Sequence, residues 1–161
     1  MPNAPCPTCG RPVDEHDRNV RFTLPTPLFE LPDWRQAPGL WMSHETPTES
    51  VMLQAEGVGA FIRAVLPIRL ADDHRLTYGV WVGVPPDLLQ EAFAVWWGDN
   101  PAYKDLRLTG VLANKVLPWG LLGAPVVATV EDVEATPYCT ESADPMLARV
   151  LTEVWAHDVL G

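Results

Sequence analysis

Residues 60–84, AFIRAVLPIRLADDHRLTYGVWVGV, carry the clearest strand signal in the chain. β-Branched and aromatic side chains predominate on both sides of a short polar segment, which is typical of two paired strands. We predict strands over residues 60–70 and 76–84, joined by a hairpin-type loop at residues 71–75. Because side chains alternate along a strand, one face of the second strand carries Tyr78, Val80, Val82 and Val84. The other face carries Trp81 between two glycines, which indicates close packing against a neighbouring element.

Two helices are predicted downstream of this hairpin. The first covers residues of about 86–97, follows the Pro85-Pro86 pair and ends at Gly98. The second covers residues of about 145–159 and begins at Pro145, with Asp144 as its N-cap. In both segments apolar residues recur at i, i+1, i+4, i+5, i+8 and i+9, a spacing that forms one broad apolar face.

The order of these elements predicts the fold class. Residues 106–112 and 124–130 are further strand candidates, so strands mostly follow one another and helices come late. We expect an α+β fold, with a mainly antiparallel sheet, two principal helices and a loop-rich N-terminal Cys-x-x-Cys arm. A chain of 161 residues that is 47% hydrophobic can bury one sizeable core. We therefore predict a single domain, 1–161, with a proline-rich arm at 1–50 and an α+β core at 51–161.

Charge and composition narrow the range of partners and compartments. The net charge is −10, from 21 acidic and 11 basic residues, which argues against nucleic acid and against an anionic membrane surface. A protein partner with a basic surface would be attracted. The N-terminus lacks the basic and apolar regions of a secretory signal, and proline and glycine interrupt the longest apolar stretch, 116–130. We expect a cytoplasmic protein that does not enter the membrane.

A metal-binding turn is predicted at Cys6-Pro7-Thr8-Cys9-Gly10, because a Cys-x-x-Cys-Gly turn can place two thiolates on one ion. A structural zinc ion needs four ligands, and we predict that His16 and His44 complete the set with Cys6 and Cys9. The remaining candidates for the two open positions are His74, His157 and Cys139, since sequence distance does not decide which residue folds back. Two other interpretations stay open, a turn that keeps its shape without an ion and a redox dithiol.

Other motifs offer weaker candidates for chemistry. Asp72-Asp73-His74 places ligand-type residues in a row, but a polar turn between strands explains the same residues. Seven tryptophans are many for this length, and they indicate core packing, a ligand cavity or an interface. We assign Trp96 and Trp155 to the core because they lie on helical apolar faces. Trp34 and Trp119, beside proline or glycine in loops, are the better interface candidates.

Four segments together resemble a known family, the uncharacterised bacterial domain of unknown function 2199. They are the Cys6-x-x-Cys9-Gly10 turn with His16, the strand 61–68, the strand 78–82 and the segment Thr109-Gly110-Val111-Leu112-Ala113-Asn114. The resemblance spans nearly the whole chain. It implies a small soluble bacterial protein with a zinc-ribbon-like start, and it carries over no activity and no catalytic residues.

We expect a non-enzymatic binding or interaction role, with zinc in a structural position. The alternative is an enzyme acting on a small molecule, for which Asp72, Asp73 and His74 would be the first residues to test. A further alternative is an acidic inhibitor or immunity-type protein that neutralises a basic partner through its charge. The sequence identifies no catalytic residue and does not predict the oligomeric state.

Overall fold

The structure, a computed structural model, describes residues 18–71, 74–98, 100–116, 119–133 and 135–155. Within these residues the strands are β1 Arg18–Arg21, β2 Trp41–Met42, β3 Met52–Ala55, β4 Gly59–Leu70, β5 His74–Val84, β6 Arg107–Leu112, β7 Pro125–Thr129, β8 Tyr138–Glu141 and β9 Val154–Trp155. The α-helices are α1 Thr26–Phe29, α2 Pro86–Trp96 and α3 Pro145–Thr152, and short 3₁₀ turns span Trp34–Gln36 and Pro101–Asp105.

Five strands, β4 to β8, close into a small barrel. β4 pairs antiparallel with β5 over their whole length, and β5, β6, β7 and β8 then pair in sequence, all antiparallel. The ring closes where β8 returns parallel to β4, with Val65 opposite Tyr138. At this point the Val65 N–H donates to the carbonyl of Pro137 at 2.8 Å.

The other strands extend the sheet outside the barrel. β3 pairs antiparallel with the first residues of β4, and β2 pairs with β3, so β2 is an edge of the sheet among the described strands. β1 lies parallel to β5, and β9 lies parallel to the last two residues of β4. The long strand β4 is therefore the element that connects all parts of the sheet.

The predicted fold class, an α+β fold with a mainly antiparallel sheet and two principal helices, is wrong. The individual strands expected at 60–70, 76–84, 106–112 and 124–130 are confirmed as β4 to β7. What differs is their closure. β4 has 12 residues, and a twisted strand of this length can present different parts of one edge to β3, β8 and β9. This pairing depends on distant segments, and the alternation within a single strand does not reveal it.

The helices are short and lie outside the barrel. The first predicted helix is confirmed as α2, and Gly98 follows it with a φ of 71°. The second, 145–159, is confirmed over 145–152 and wrong at 154–155, because α3 ends at Thr152 and Val154–Trp155 form β9. Residues 156–159 lie outside the described residues. Valine and tryptophan favour strand pairing, and the end of β4 offers them a partner. No helix among the described residues has the length and apolar composition needed to cross a membrane.

Alternation along β4 and β5 divides their side chains between two apolar cores. The barrel interior contains Ile62, Leu66, Val80 and Val82, all fully buried. The opposite faces of these strands contribute Phe61 and Trp81 to a second core, which α1 and β3 complete. The predicted faces of the second strand are thus confirmed, and Trp81 is fully buried.

Candidate functional site

Four exposed rings form a continuous surface across β2, the following loop and α2. Trp41 lies 5.8 Å from Phe93, Phe93 lies 5.6 Å from Trp97, and Trp97 lies 5.9 Å from His44, measured between ring centroids. Trp41, Phe93 and Trp97 are 40%, 45% and 41% exposed, although large apolar side chains are usually covered. We call these four residues the aromatic patch.

The position of α2 on the barrel explains why the patch is exposed. Leu89 and Ala92 are the residues of α2 that are buried against the barrel. Phe93 and Trp97 stand four and eight residues after Leu89, at the margin of the buried face, where Trp41 of the edge strand β2 meets them. The helix therefore presents more apolar surface than the barrel covers.

Hydrogen bonds fix His44 at one end of the patch. Ser43 Oγ accepts the N–H groups of Val51 at 2.9 Å and Met52 at 3.2 Å. His44 Nδ1 lies 2.9 Å from the same oxygen, within hydrogen-bond distance. This contact orients the His44 ring beside Trp97.

A buried arginine holds the loop that carries His44. Arg63 is 1% exposed, and its guanidinium lies 4.0 Å from the centroid of the Trp81 ring. It donates from Nε to the carbonyl of Ser50 and from Nη2 to that of Pro47, both at 3.1 Å. The carbonyls of Phe22, Thr23 and Gly79 accept its other hydrogen bonds. Burial, with a contribution from the charge of Arg21, lowers the pKa of Arg63 to about 9.

The segments that build the patch carry acidic charge only. Residues 36–62 and 76–103 contain no lysine and no arginine. Their exposed carboxylates among the described residues are Glu45, Glu49, Glu56, Asp87 and Glu91. The aromatic patch is therefore surrounded in sequence by negative charge, which a cationic group would complement.

A small cleft of about 250 Å³ adjoins the patch. Its lining residues are Trp41, Gln54, Leu89, Gln90 and Phe93. It combines two aromatic rings with two neutral amides, and no charged side chain lines it.

A larger cleft of about 610 Å³ opens elsewhere, between the end of β5, β6 and the turn before β4. Aliphatic side chains, Phe61, Thr109 and four glycines make up most of its walls. No acidic, basic, histidine or cysteine side chain lines it. This cleft thus offers no acid, base or thiol nucleophile for catalysis.

The predicted metal ligands are not brought together in the described part of the chain. Cys6, Cys9, His16 and His157 lie outside the described residues, and no group of three histidine, cysteine, aspartate or glutamate side chains within those residues could hold an ion. His44, the fourth predicted ligand, lies in the loop after β2, beside Trp97.

The structure describes some of the other predicted candidates and not others. Asp72 and Asp73 lie outside the described residues, and His74 is placed by its backbone at the start of β5. Cys139 is buried in the barrel, and burial raises the pKa of its thiol to about 12. Such a thiol is protonated at neutral pH and is a poor ligand and nucleophile.

The tryptophan assignment requires one correction. Trp34 and Trp119, expected as interface candidates, are partly covered and pack against the two cores. Trp96 and Trp155 also pack against the barrel core, as predicted. The exposed tryptophans are Trp41 and Trp97. The sequence signal that could have identified Trp97 as exposed is its i, i+4 spacing from Phe93 at the end of a short helix.

The model of a family described as "Uncharacterized protein conserved in bacteria (DUF2199)" matches residues 5–142. No curated protein matches the chain. No solved structure matches it.

Proposed function

Since the chain belongs to the bacterial family of domain of unknown function 2199, whose members are uncharacterised, we propose a function from its own surface. We propose that it is a non-enzymatic binding protein whose aromatic patch takes a basic segment of a partner protein. The observation that carries this proposal is the exposed chain of rings Trp41, Phe93, Trp97 and His44.

Three properties of the patch support a protein partner. Exposed apolar groups that touch one another are typical of interaction sites, whereas single exposed apolar residues are ordinary. Tryptophan is enriched among the residues that contribute most to binding energy. The carboxylates on the same segments would attract a basic partner and speed its association.

Binding of a cationic probe tests the proposal. We expect a hexapeptide of alternating arginine and lysine to bind the full chain, measured by titration calorimetry at physiological salt. Phe93→Ser and Trp97→Ser should each weaken binding about tenfold, which corresponds to about 1.4 kcal/mol. Phe29→Ser is the matched control, because Phe29 is 69% exposed and lies outside the patch. It should bind like the unaltered chain.

Two outcomes would contradict this function. Absence of binding would exclude a basic peptide partner. Binding that is lost at high salt but equal in all three variants would place the interaction on the acidic surface at large, as expected for an acidic inhibitor.

We also propose a structural zinc ion bound by Cys6, Cys9, His16 and His44. Elemental analysis should find close to one zinc per chain and none in Cys6→Ser. His44→Ala tests the fourth position, and zinc retained in this variant would assign that position to another residue. If the unaltered protein contains no zinc, the Cys-x-x-Cys turn forms without an ion and this proposal is wrong.

A further inference from the structure

Three tryptophans of this protein have an arginine of the same chain over their ring. The guanidinium carbon lies 4.7 Å from the ring centroid for Arg35 and Trp34, 4.0 Å for Arg63 and Trp81, and 5.6 Å for Arg149 and Trp155. A guanidinium above an indole ring is attracted by the negative face of the ring, and it also stacks on the ring as a flat group.

Trp41 and Trp97 are the exposed tryptophans, and no such arginine covers them in the part of the chain that the structure describes. The segments that carry them, residues 36–62 and 76–103, contain no lysine or arginine that could do so locally. A cation that stacks on these rings would therefore come from outside these two segments, as the basic segment of the proposed partner does.

The cleft beside Trp41 has the chemistry to hold one such group. Trp41 is directly opposite Gln54 in the pairing of β2 with β3, and Phe93 lies on the other side with Gln90. The amide oxygens of Gln54 and Gln90 can accept N–H groups without placing a charge in the cleft. Its volume of about 250 Å³ is below the roughly 300–1,000 Å³ of sites for drug-sized ligands. This size suits a single side chain.

Arginine fits this cleft better than lysine does. A guanidinium is planar, is weakly hydrated and has five N–H donors in fixed directions, so it can stack on a ring and donate to amides at the same time. The lysine ammonium is compact and strongly hydrated, and it would lose more water on entering an apolar cleft. Within the protein, Arg63 shows the same combination, with a tryptophan ring on its face and neutral carbonyl acceptors around it.

We propose that the cleft formed by Trp41, Gln54, Leu89, Gln90 and Phe93 is an arginine pocket, which selects an arginine side chain of the partner over a lysine. This inference rests on the proposed function, because it specifies the residue that the basic segment inserts beside the aromatic patch.

Hexaarginine and hexalysine, which carry equal charge, test the selectivity in titration calorimetry with the full chain. We expect hexaarginine to bind at least tenfold more tightly. Gln54→Leu removes one acceptor at nearly constant size and should reduce that preference several-fold with little effect on hexalysine. Trp41→Leu should reduce it further. Gln36→Leu is the matched control, because Gln36 is an exposed glutamine outside the cleft, and it should retain the full preference.

The outcomes separate the two proposals. If neither peptide binds, the proposed function itself is overturned. If both bind with equal affinity, the function stands and the arginine pocket is overturned. If arginine is preferred equally by the unaltered chain, Gln54→Leu and Trp41→Leu, the selectivity lies elsewhere and this cleft is not the pocket.

Discussion

Arg63 shows how this fold accommodates a charge in a buried strand. A buried cation loses its hydration, which costs several kcal/mol unless polar groups replace the water. Here backbone carbonyls and the ring of Trp81 supply the replacement. The same bonds connect β4 with residues 47–50 and with the chain that follows β1. The arginine therefore organises the backbone on the side of the barrel that carries His44.

Replacement of Arg63 should destabilise the protein strongly. Arg63→Met keeps an unbranched apolar side chain but leaves buried carbonyls without donors, so we expect a loss of about 3 kcal/mol or more in the free energy of unfolding. Urea unfolding followed by tryptophan fluorescence measures it. Arg63→Lys, which retains charge and three donors, should lose less. A loss below about 1 kcal/mol in Arg63→Met would show that these bonds contribute little.

Cys139 should be unreactive in the folded protein. In a Cys6→Ser/Cys9→Ser background it is the remaining thiol, and its raised pKa of about 12 keeps it protonated. We expect no reaction with a disulfide reagent at pH 8 until the chain is unfolded. Rapid reaction of the folded protein would contradict the burial of this side chain.

The raised pKa of Cys139 also makes the stability of the protein depend on pH. The folded pKa of Cys139 lies above the ordinary value of 9.0, so the thiol's contribution to stability is complete below pH 9 and is lost as the pH rises toward 12. Cys139→Ala in the same background should therefore lose less stability between pH 8 and pH 10 than its parent does.

Single residues were predictable where the local pattern determined their surroundings. Alternation alone placed Trp81 and the valines of β5 on opposite faces of the strand. The position of Asp144 directly before Pro145 identified it as the N-cap of α3. The bonding of Arg63 was not predictable, because its acceptors lie 13 to 41 residues away in the sequence. Nothing in a strand pattern indicates which distant carbonyls will surround a side chain.

At the scale of the element, the apolar pattern of α2 predicted the helix correctly but did not predict which of its apolar residues are exposed. Periodicity predicted the helix and its ends correctly, and it identified the residues of its apolar face. It did not show that the barrel would cover Leu89 and Ala92 but leave Phe93 and Trp97 exposed. How much of an apolar face is buried depends on the curvature and size of the partner, which the helix sequence does not contain.

The N-cap of α3 offers a test at this scale. Asp144 accepts the N–H of Leu147 at 2.9 Å, and α3 has 8 residues, so one cap is a large part of its terminal hydrogen bonding. We expect Asp144→Ala to lower the free energy of unfolding by about 1 kcal/mol. Asp144→Asn, which retains an acceptor, should be close to the unaltered chain in urea unfolding. Equal losses in both variants would assign the effect to charge instead of capping.

At the scale of the molecule, closure of the barrel separates the interior from the binding surface. Because β4 pairs along both edges, the apolar interior is sealed and the exposed rings remain on one outer side, at β2 and α2. Each strand from β4 to β7 was predictable, and closure was not, since it depends on one pairing between residues 73 positions apart, Val65 and Tyr138. α2 contributes Leu89 and Ala92 to the core of this barrel and leaves Phe93 and Trp97 exposed.

Hydrogen exchange tests the closure directly. In a closed barrel the Val65 N–H is bonded to the carbonyl of Pro137 and should exchange only on global unfolding. The free energy of opening obtained from its exchange rate should then equal the free energy of unfolding measured with denaturant. The matched control is the Met42 N–H. Because Ser43 donates to Met52 of β3, the neighbouring Met42 N–H points to the outer edge of β2, and it should exchange orders of magnitude faster. If Val65 exchanged as quickly as Met42, that edge of β4 would be open. The five strands would then form an open sheet instead of a closed barrel.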